Sequence, residues 1–149
     1  DSTVRHPVEA GKFMLPYGFV QSPLLASMAF AQSKLGTCLS KLKSAGYCVS
    51  VYVDDIIVSG PSDNALHECL DELCAAAESA KFQLNPAKQQ GPAPTVTAFN
   101  IELSHGSLRL QSDRLDEFKE AFQSSGNEHV RGGILGYVES VSPAQAATL

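Results

Sequence analysis

The chain has 149 residues, of which 44% are hydrophobic, and its formal net charge is −5. This size and composition are typical of one globular domain, and since no apolar run is long enough to span a membrane we expect no membrane association. Because the charge balance is acidic, any binding of nucleic acid must use local basic patches, metal ions or basic surface elsewhere in a larger protein.

The first predicted elements are a short strand, a loop and a long helix. Residues 12–15 are compatible with a strand, and residues 16–21 are rich in turn-forming residues. Ser22 and Pro23 are typical of a helix start, with the serine as N-cap and the proline in the first turn. Apolar residues then repeat at helical spacing on one face until Gly46 ends the helix: Leu24, Met28, Ala31, Leu35, Leu39 and Leu42.

A β-hairpin with two aspartates at its tip is predicted next. Residues 47–53 and 56–59 are rich in β-branched side chains, and only Asp54 and Asp55 separate them. The valines and isoleucines predict two buried strands, which would present the carboxylates on a rigid support. An ordinary turn containing aspartate is the plain alternative. Because adjacent negative charges repel, a divalent cation is their natural partner, and carboxylate oxygens suit Mg²⁺.

The rest of the chain predicts helices that alternate with short strands. The predicted elements are a helix capped by Ser62 or Asp63, a strand over residues 82–84, a hairpin over 96–103 and 108–110, and helices over 113–123 and 131–141. This order is typical of an α+β fold with helices on one face of an antiparallel sheet.

The cysteines show no pattern of a zinc site. No two of them are spaced as a ligand pair, and none has a histidine at ligand spacing. We interpret all four as buried free thiols of a protein in a reducing compartment, which predicts a cytoplasmic location. They are Cys38, Cys48, Cys69 and Cys74.

Five segments resemble reverse transcriptases, in the order that this family has them. Residues 52–55, YVDD, resemble the YxDD signature, and residues 15–23, LPYGFVQSP, resemble the LPQGxxxSP segment that precedes it. Residues 84–88, LNPAK, are similar to the LNxxK segment. Residues 99–101 with the hairpin after them resemble the primer grip, and residues 131–141 resemble the start of a thumb. The residues of the first two segments are most similar to those of bacterial reverse transcriptases of the unknown group, which include antiviral defence types.

The resemblance implies a polymerase palm, a split βαβ or ferredoxin-like antiparallel sheet with helices on one face, over residues 1–110. Residues 111–149 would begin the thumb. The fingers and the first palm strand, with its metal-binding aspartate, would be missing, and Asp1 lacks the apolar context expected of that aspartate. Since the chain does not begin with Met, we expect an engineered, processed or partial sequence. The gap in the sheet would be filled by another chain, a second copy or the N-terminal segment, because open strand edges are a liability.

The family motifs imply catalytic roles for three residues. Asp54 would be the first metal ligand and Asp55 the second carboxylate, with Mg²⁺ or Mn²⁺ as the cofactor. Lys88, from the LNxxK match, would contact or protonate the leaving pyrophosphate. A solvated surface lysine is the alternative for Lys88.

Nucleotide or template contacts are implied for a further set of residues. Tyr17 stands where the family usually has glutamine, which puts in doubt any contact of that amide, and its ring would stack on a base instead. Gly18 would permit close approach of the backbone, and Tyr52 would pack beside the primer end. The alternatives are a turn glycine for Gly18, a strand aromatic for Tyr52 and a helix cap for Ser22. The full set is Tyr17, Gly18, Gln21, Ser22 and Tyr52.

The resemblance therefore implies metal-dependent nucleotidyl transfer that makes DNA, either RNA-templated or template-free. The partners of the complete enzyme would be a template–primer, dNTPs and the remaining polymerase segments or a second copy. The isolated chain would be inactive, because one metal-binding arm is missing. The alternative is a non-catalytic scaffold or binding module derived from a palm. The acidic charge and the missing aspartate favour this alternative if the natural gene is this short, whereas the aspartate pair and Lys88 favour the polymerase.

Overall fold

A computed structural model describes residues 2–149, and Asp1 lies outside the described residues. The chain forms two compact units, one ending at Pro86 and the other spanning Ala87–Leu149. Each unit has its own core of buried apolar side chains. The predicted boundary between palm and thumb, at residues 110 and 111, stays a prediction.

Within residues 2–86, the described part of the first unit, there are four strands and three helices. They are β1 (Val4–Arg5), β2 (Phe13–Met14), α1 (Gln21–Gln32), α2 (Lys34–Ser44), β3 (Cys48–Tyr52), β4 (Asp55–Ser59) and α3 (Asp63–Ser79). β1 pairs with β2, and β3 pairs with β4, in two separate antiparallel sheets. The core lies between α2 and α3, where Leu35 and Leu39 meet Ala77. The N-terminal segment thus pairs with itself and does not extend the β3–β4 sheet.

The predicted long helix is two helices, α1 and α2, separated by Ser33. Ser33 has an extended backbone, with φ −75° and ψ 168°, and its Oγ accepts a hydrogen bond from the Gly36 N–H at 3.1 Å. The same Oγ donates to the Phe30 carbonyl at 2.6 Å. A Cβ on Gly36 would lie 2.3 Å from that carbonyl oxygen. The prediction of one continuous helix is therefore wrong, and Ser33 with Gly36 forms a corner between the two helices.

The apolar face predicted for this region is buried only in α2. α1 has no buried residue. Val20, Leu24 and Met28, which are spaced by four residues and so lie along one side of the helix, are 94%, 63% and 52% exposed. We call these three residues the α1 stripe. Because all three side chains are more than half exposed, the first unit leaves the α1 stripe largely unburied.

The segment around α3 agrees only in part with the sequence. Of the two predicted caps of α3, Ser62 and Asp63, the cap is Ser62, which accepts a hydrogen bond from the Ala65 N–H at 3.3 Å. The predicted strand over residues 82–84 is wrong, since these residues form a loop. Phe82 instead packs its ring against Phe30, with 5.8 Å between the ring centroids.

The cysteines are all free thiols, but their burial differs from the prediction. Cys69 is buried and Cys38 is half-buried, whereas Cys48 and Cys74 are exposed. The prediction of four buried thiols is therefore wrong for the last two. Burial raises the pKa of the Cys69 thiol, and the neighbouring Cys38 and Glu72 raise it further.

The second unit is a three-stranded antiparallel sheet followed by three helices. Its elements are β5 (Thr95–Ala98), β6 (Ile101–Ser104), β7 (Ser107–Leu110), α4 (Ser112–Ser124), α5 (Glu128–Val141) and α6 (Pro143–Ala146). The strand predicted over 96–103 is interrupted because Phe99 and Asn100 have φ values of 56° and 62°, which suit a tight two-residue hairpin turn. Leu110, Ile134 and Val138 are the centre of this unit's core.

The predicted α+β class is confirmed as a mixture of helices and antiparallel sheets, which is compatible with a part of a reverse transcriptase. The single sheet predicted from the sequence is not formed, since the described strands fall into three separate sheets. None of the described helices is long and apolar enough to cross a membrane.

Candidate active site

The tip of the β3–β4 hairpin carries both aspartates. The strands pair in register from Cys48 with Ser59 to Tyr52 with Asp55. The turn is therefore Val53–Asp54, one residue earlier than predicted, and Asp55 is the first residue of β4. Asp54 is exposed and Asp55 is half-buried.

One face of the hairpin is packed, whereas its turn projects. Val49, Ile56 and Val58 pack against the core between α2 and α3. Because successive strand residues face opposite sides, Asp55 lies on the face opposite to Ile56 and away from the core. Tyr52 is 66% exposed and Val53 is 80% exposed. The prediction of two fully buried strands is therefore wrong, but the carboxylates still stand on a supported hairpin.

Val53 has an unfavourable backbone conformation. Its φ is 56°, in the left-handed region that β-branched residues rarely adopt. Positive φ at the first turn residue alone is the pattern of a type II′ turn, which prefers glycine at that position. Such a conformation costs of the order of 1–3 kcal/mol and is often found at functional sites. The turn between Tyr52 and Asp54 is therefore held by the pairing of the strands and not by the preference of its own residue.

Val53→Gly is expected to raise the free energy of unfolding by about 1 kcal/mol, because the strain removed exceeds the entropy that glycine adds to the unfolded chain. Urea unfolding followed by circular dichroism measures the change. Val51→Gly, in an ordinary strand position of the same hairpin, is the control and should be destabilising. A Val53→Gly variant less stable than the parent would show that the turn is not strained.

The aspartate pair supplies two carboxylates for a cation. No ion pair found within residues 2–149 includes Asp54 or Asp55. Across that described part of the chain, no group of three or more histidine, cysteine and acidic residues is placed to hold a metal. Mg²⁺ usually takes one or two protein carboxylates and completes its shell with water and substrate phosphates. Two carboxylates on adjacent residues are compatible, in number and in type of ligand atom, with such an ion.

The LPYG loop, residues 15–18, is held by a hydrogen bond from Ser22. The Ser22 Oγ donates a hydrogen bond to the buried Pro16 carbonyl at 2.7 Å. The predicted helix cap by Ser22 is wrong, because α1 begins at Gln21 and the side chain of Ser22 turns back to the loop. Gly18 has φ 79° and open space where a Cβ would point, and the Tyr17 side chain is 100% exposed. The loop therefore presents a free aromatic ring beside a glycine that its backbone requires.

A comparison with protein families identifies the chain. The family described as reverse transcriptase (RNA-dependent DNA polymerase) matches residues 8–118. The chain belongs to the reverse transcriptase family. This membership indicates, at the level of the family, nucleotidyl transfer of the RNA-directed DNA polymerase type, with divalent metal ions, a template and dNTPs. No curated protein matches the chain.

The reverse transcriptase motifs are divided between the two units. The LPYG loop and the aspartate hairpin belong to the first unit, and Lys88 lies in a turn of residues 86–88 at the start of the second. Grouping Lys88 with Asp54 and Asp55 therefore rests on the family motif.

Sequence reasoning missed some residues that shape the site. The strain at Val53 follows from the pairing of Tyr52 with Asp55. The sequence indicated a two-residue turn within the YVDD segment, but not which two of its residues form the turn. The corner at Ser33 and Gly36 also supports the site, because α2 carries Leu35 and Leu39 under the hairpin. A serine followed three residues later by a glycine was the only local sign of this corner.

Proposed function

We propose that this chain is the palm part of a reverse transcriptase that makes DNA by metal-dependent nucleotidyl transfer, in the bacterial unknown group with a role in antiviral defence. The observation that carries the proposal is the pair Asp54–Asp55, presented to solvent at the tip of a hairpin that has one face packed on α2 and α3. The family match over residues 8–118 supports the reaction class.

Each residue of the site has a proposed task in the reaction. Asp54, at the exposed turn, and Asp55, the half-buried first residue of β4, would hold the divalent ion. A bound Mg²⁺ or Mn²⁺ would supply charge neutralisation for the attacking and leaving oxygens of an in-line displacement. Lys88 contacts or protonates the leaving pyrophosphate. Tyr52 borders the primer end.

The LPYG segment is proposed to position the nucleotide and the template. Gly18 lets the backbone come close to the substrate, since no side chain obstructs it. Gln21 is exposed at the first turn of α1, and its amide is available for the template. Ser22 contributes by fixing the loop to Pro16. The Tyr17 ring is available to stack on a base.

We also propose that further polymerase segments, or a second copy of the chain, complete the palm. β3 and β4 form a two-stranded sheet, so both outer edges are without a neighbouring strand in the described residues. The α1 stripe adds exposed apolar surface in the same unit. Open edges and large apolar patches favour association with other surfaces. An added strand could also bring the missing third carboxylate.

Tyr17→Ala is expected to raise the KM for dNTP about tenfold, because stacking of a base on an aromatic ring is worth about 1–3 kcal/mol. Stability should not change, since the ring is 100% exposed and packs on nothing. Steady-state kinetics of the protein expressed from its full natural reading frame measures the effect. Tyr17→Phe keeps the ring and should retain the parental KM. An unchanged KM in Tyr17→Ala would exclude the stacking role.

A primer-extension assay tests the proposed function. The protein expressed from its full natural reading frame should incorporate dNTPs onto a primer in the presence of Mg²⁺ or Mn²⁺, and the 149-residue chain alone should not. Efficient DNA synthesis by the 149-residue chain alone would refute the proposal that it lacks a carboxylate required for catalysis. Absence of synthesis by the full protein on RNA, on DNA and without a template would favour the non-catalytic scaffold.

A further inference from the structure

Two glutamine side chains in the second unit each bind the backbone of an edge strand through two hydrogen bonds. The Gln90 amide donates to the Thr97 carbonyl at 2.9 Å and accepts from the Thr97 N–H at 2.7 Å. The Gln145 amide donates to the Leu110 carbonyl at 3.0 Å and accepts from the Leu110 N–H at 2.8 Å. A primary amide can replace a neighbouring strand in this way because it has a donor and an acceptor side by side.

The strand register explains why these two positions need a partner. In an antiparallel pair, directly opposed residues alternate between hydrogen-bonded and non-hydrogen-bonded positions. The two-residue turn at Phe99–Asn100 makes Ala98 and Ile101 a hydrogen-bonded pair, so the N–H and C=O of Thr97 point outward from β5. The same alternation from Ser104 and Ser107 directs those of Leu110 outward from β7. The two glutamines therefore close both outer edges of the sheet at these residues.

The two contacts differ in what they hold together. Gln90 is exposed and is only seven residues from Thr97, so it fastens a loop to the strand that follows it. Gln145 is 8% exposed, and it reaches Leu110 across 35 residues of sequence. Gln145 lies on α6, and Leu110 is 2% exposed. The second contact therefore fixes the end of the β6–β7 hairpin to the helical part of the unit.

The position of Leu110 makes this contact important for the orientation of the hairpin. Leu110 is the last residue of β7, and α4 begins two residues later at Ser112, so Gln111 alone joins the hairpin to the helices. The Gln111 N–H donates a hydrogen bond to the Asn100 carbonyl at 3.0 Å, and its carbonyl accepts one from the Leu115 N–H at 2.9 Å. The Gln145 amide adds a further attachment, because it holds both backbone groups of the residue before this connection. The hairpin is also held by apolar packing of Leu110 with Ile134, which resists separation more than rotation because apolar contacts are not directional.

We infer that Gln145 is a positioning residue that sets the orientation of the β6–β7 hairpin. This inference rests on the proposed function for its consequence, since the hairpin resembles the primer grip and would orient the primer 3′ end. A shift of about 1 Å in a reacting group lowers rates by as much as roughly a hundredfold. Loss of the Gln145 contact should therefore slow nucleotide addition more than it weakens binding of the primer.

Gln145→Met removes both hydrogen bonds and keeps a side chain of similar length, so the packing of α6 is preserved. Gln90→Ala is the matched control, because it removes the same pair of bonds from the opposite edge. Hydrogen exchange followed by mass spectrometry should show faster exchange of residues 107–110 in Gln145→Met and parental exchange there in Gln90→Ala. Parental exchange of those residues in Gln145→Met would overturn the inference.

The kinetic arm uses the protein expressed from its full natural reading frame. For Gln145→Met we expect kcat for primer extension to fall about tenfold, while the Kd for template–primer stays within about twofold of the parent. Gln90→Ala is the control for hydrogen exchange only, because Gln90 fastens to β5 the loop that contains Lys88. If Gln145→Met does not fold, Gln145→Leu is measured in its place, since it removes both hydrogen bonds without placing a charge in the buried site.

The outcomes of the two arms separate the inference from the proposed function. Faster exchange with an unchanged kcat would overturn the role of Gln145 in orienting the primer while the polymerase proposal stands. Absence of synthesis by the parental protein would refute the proposed function, and with it the consequence for the primer. In that case the exchange experiment still decides whether Gln145 holds the hairpin.

Discussion

Asp54→Asn is expected to lower the rate of DNA synthesis by the full natural protein by at least about a hundredfold, because a metal ligand contributes several kcal/mol of charge stabilisation in the transition state. Asparagine has a neutral amide of the same shape, so only the charge is removed. Asp54 is exposed at the turn, and no ion pair of the described residues depends on it. The thermal unfolding midpoint should therefore stay close to that of the parent.

Matched variants distinguish the loss of a metal ligand from the loss of one negative charge anywhere on the surface. Asp55→Asn should lower the rate less than Asp54→Asn, because the family motif gives Asp55 the role of the second carboxylate. Asp71→Asn removes an exposed charge from α3 and should leave the rate unchanged. Single-turnover primer extension measures the three variants. Parental activity in Asp54→Asn would show that Asp54 is not part of the catalytic site.

Gly36→Ala is expected to lower the free energy of unfolding by about 3 kcal/mol, at the upper end for overpacking, since the new Cβ meets backbone atoms that have no rotamer to change. The Cβ would lie 2.3 Å from the Phe30 carbonyl oxygen and 2.7 Å from that of Ala31. Relief of this clash requires the corner between α1 and α2 to open. Because α2 carries Leu35 and Leu39 of the core under the aspartate hairpin, the hairpin should lose support as well.

Urea unfolding of the 149-residue chain measures this effect. Gly132→Ala is the control, since it lies in α5 with open space around the added Cβ, and alanine is the better helix former by about 1 kcal/mol. Gly132→Ala should therefore be neutral or stabilising. A Gly36→Ala variant as stable as the parent would contradict the corner described here.

Elements defined by local patterns were predictable from the sequence. The hairpin with its aspartates, the Ser62 cap of α3 and the helices α4 and α5 are confirmed to within a few residues at their ends. Each of these depends on capping, turn residues or periodicity within about fifteen positions. The family could also be recognised from the sequence, because the order of its motifs can be compared without knowledge of the fold.

The wrong predictions concern positions where one local sequence pattern is compatible with two different structures. The apolar repeat from Leu24 to Leu42 stays in phase through the corner at Ser33, so periodicity alone does not reveal the break. Val53 has a strand-forming side chain, and its place in the turn is decided by the pairing of Tyr52 with Asp55. In both cases the backbone geometry overrides the preference of a single residue.

Other features depend on contacts that no local window contains. The contact of Gln145 with Leu110 spans 35 residues and gives no sign in the sequence. The α1 stripe has the spacing of a buried face, and its exposure shows that helical periodicity identifies a face without identifying its partner. The roles of Asp54, Asp55 and Lys88 in catalysis remain predictions from the family motif.

Mn²⁺-induced broadening of backbone amide signals in NMR spectra of the 149-residue chain tests most directly whether the hairpin tip holds a divalent ion. We predict that the signals of residues 52–56 broaden first as Mn²⁺ is added, and that Asp54→Asn removes this preference. The acidic residues of α3 are an internal comparison, because Glu68, Asp71 and Glu72 are also exposed. Broadening that begins on α3, or that is unchanged in Asp54→Asn, would contradict the assignment of the hairpin as the metal site.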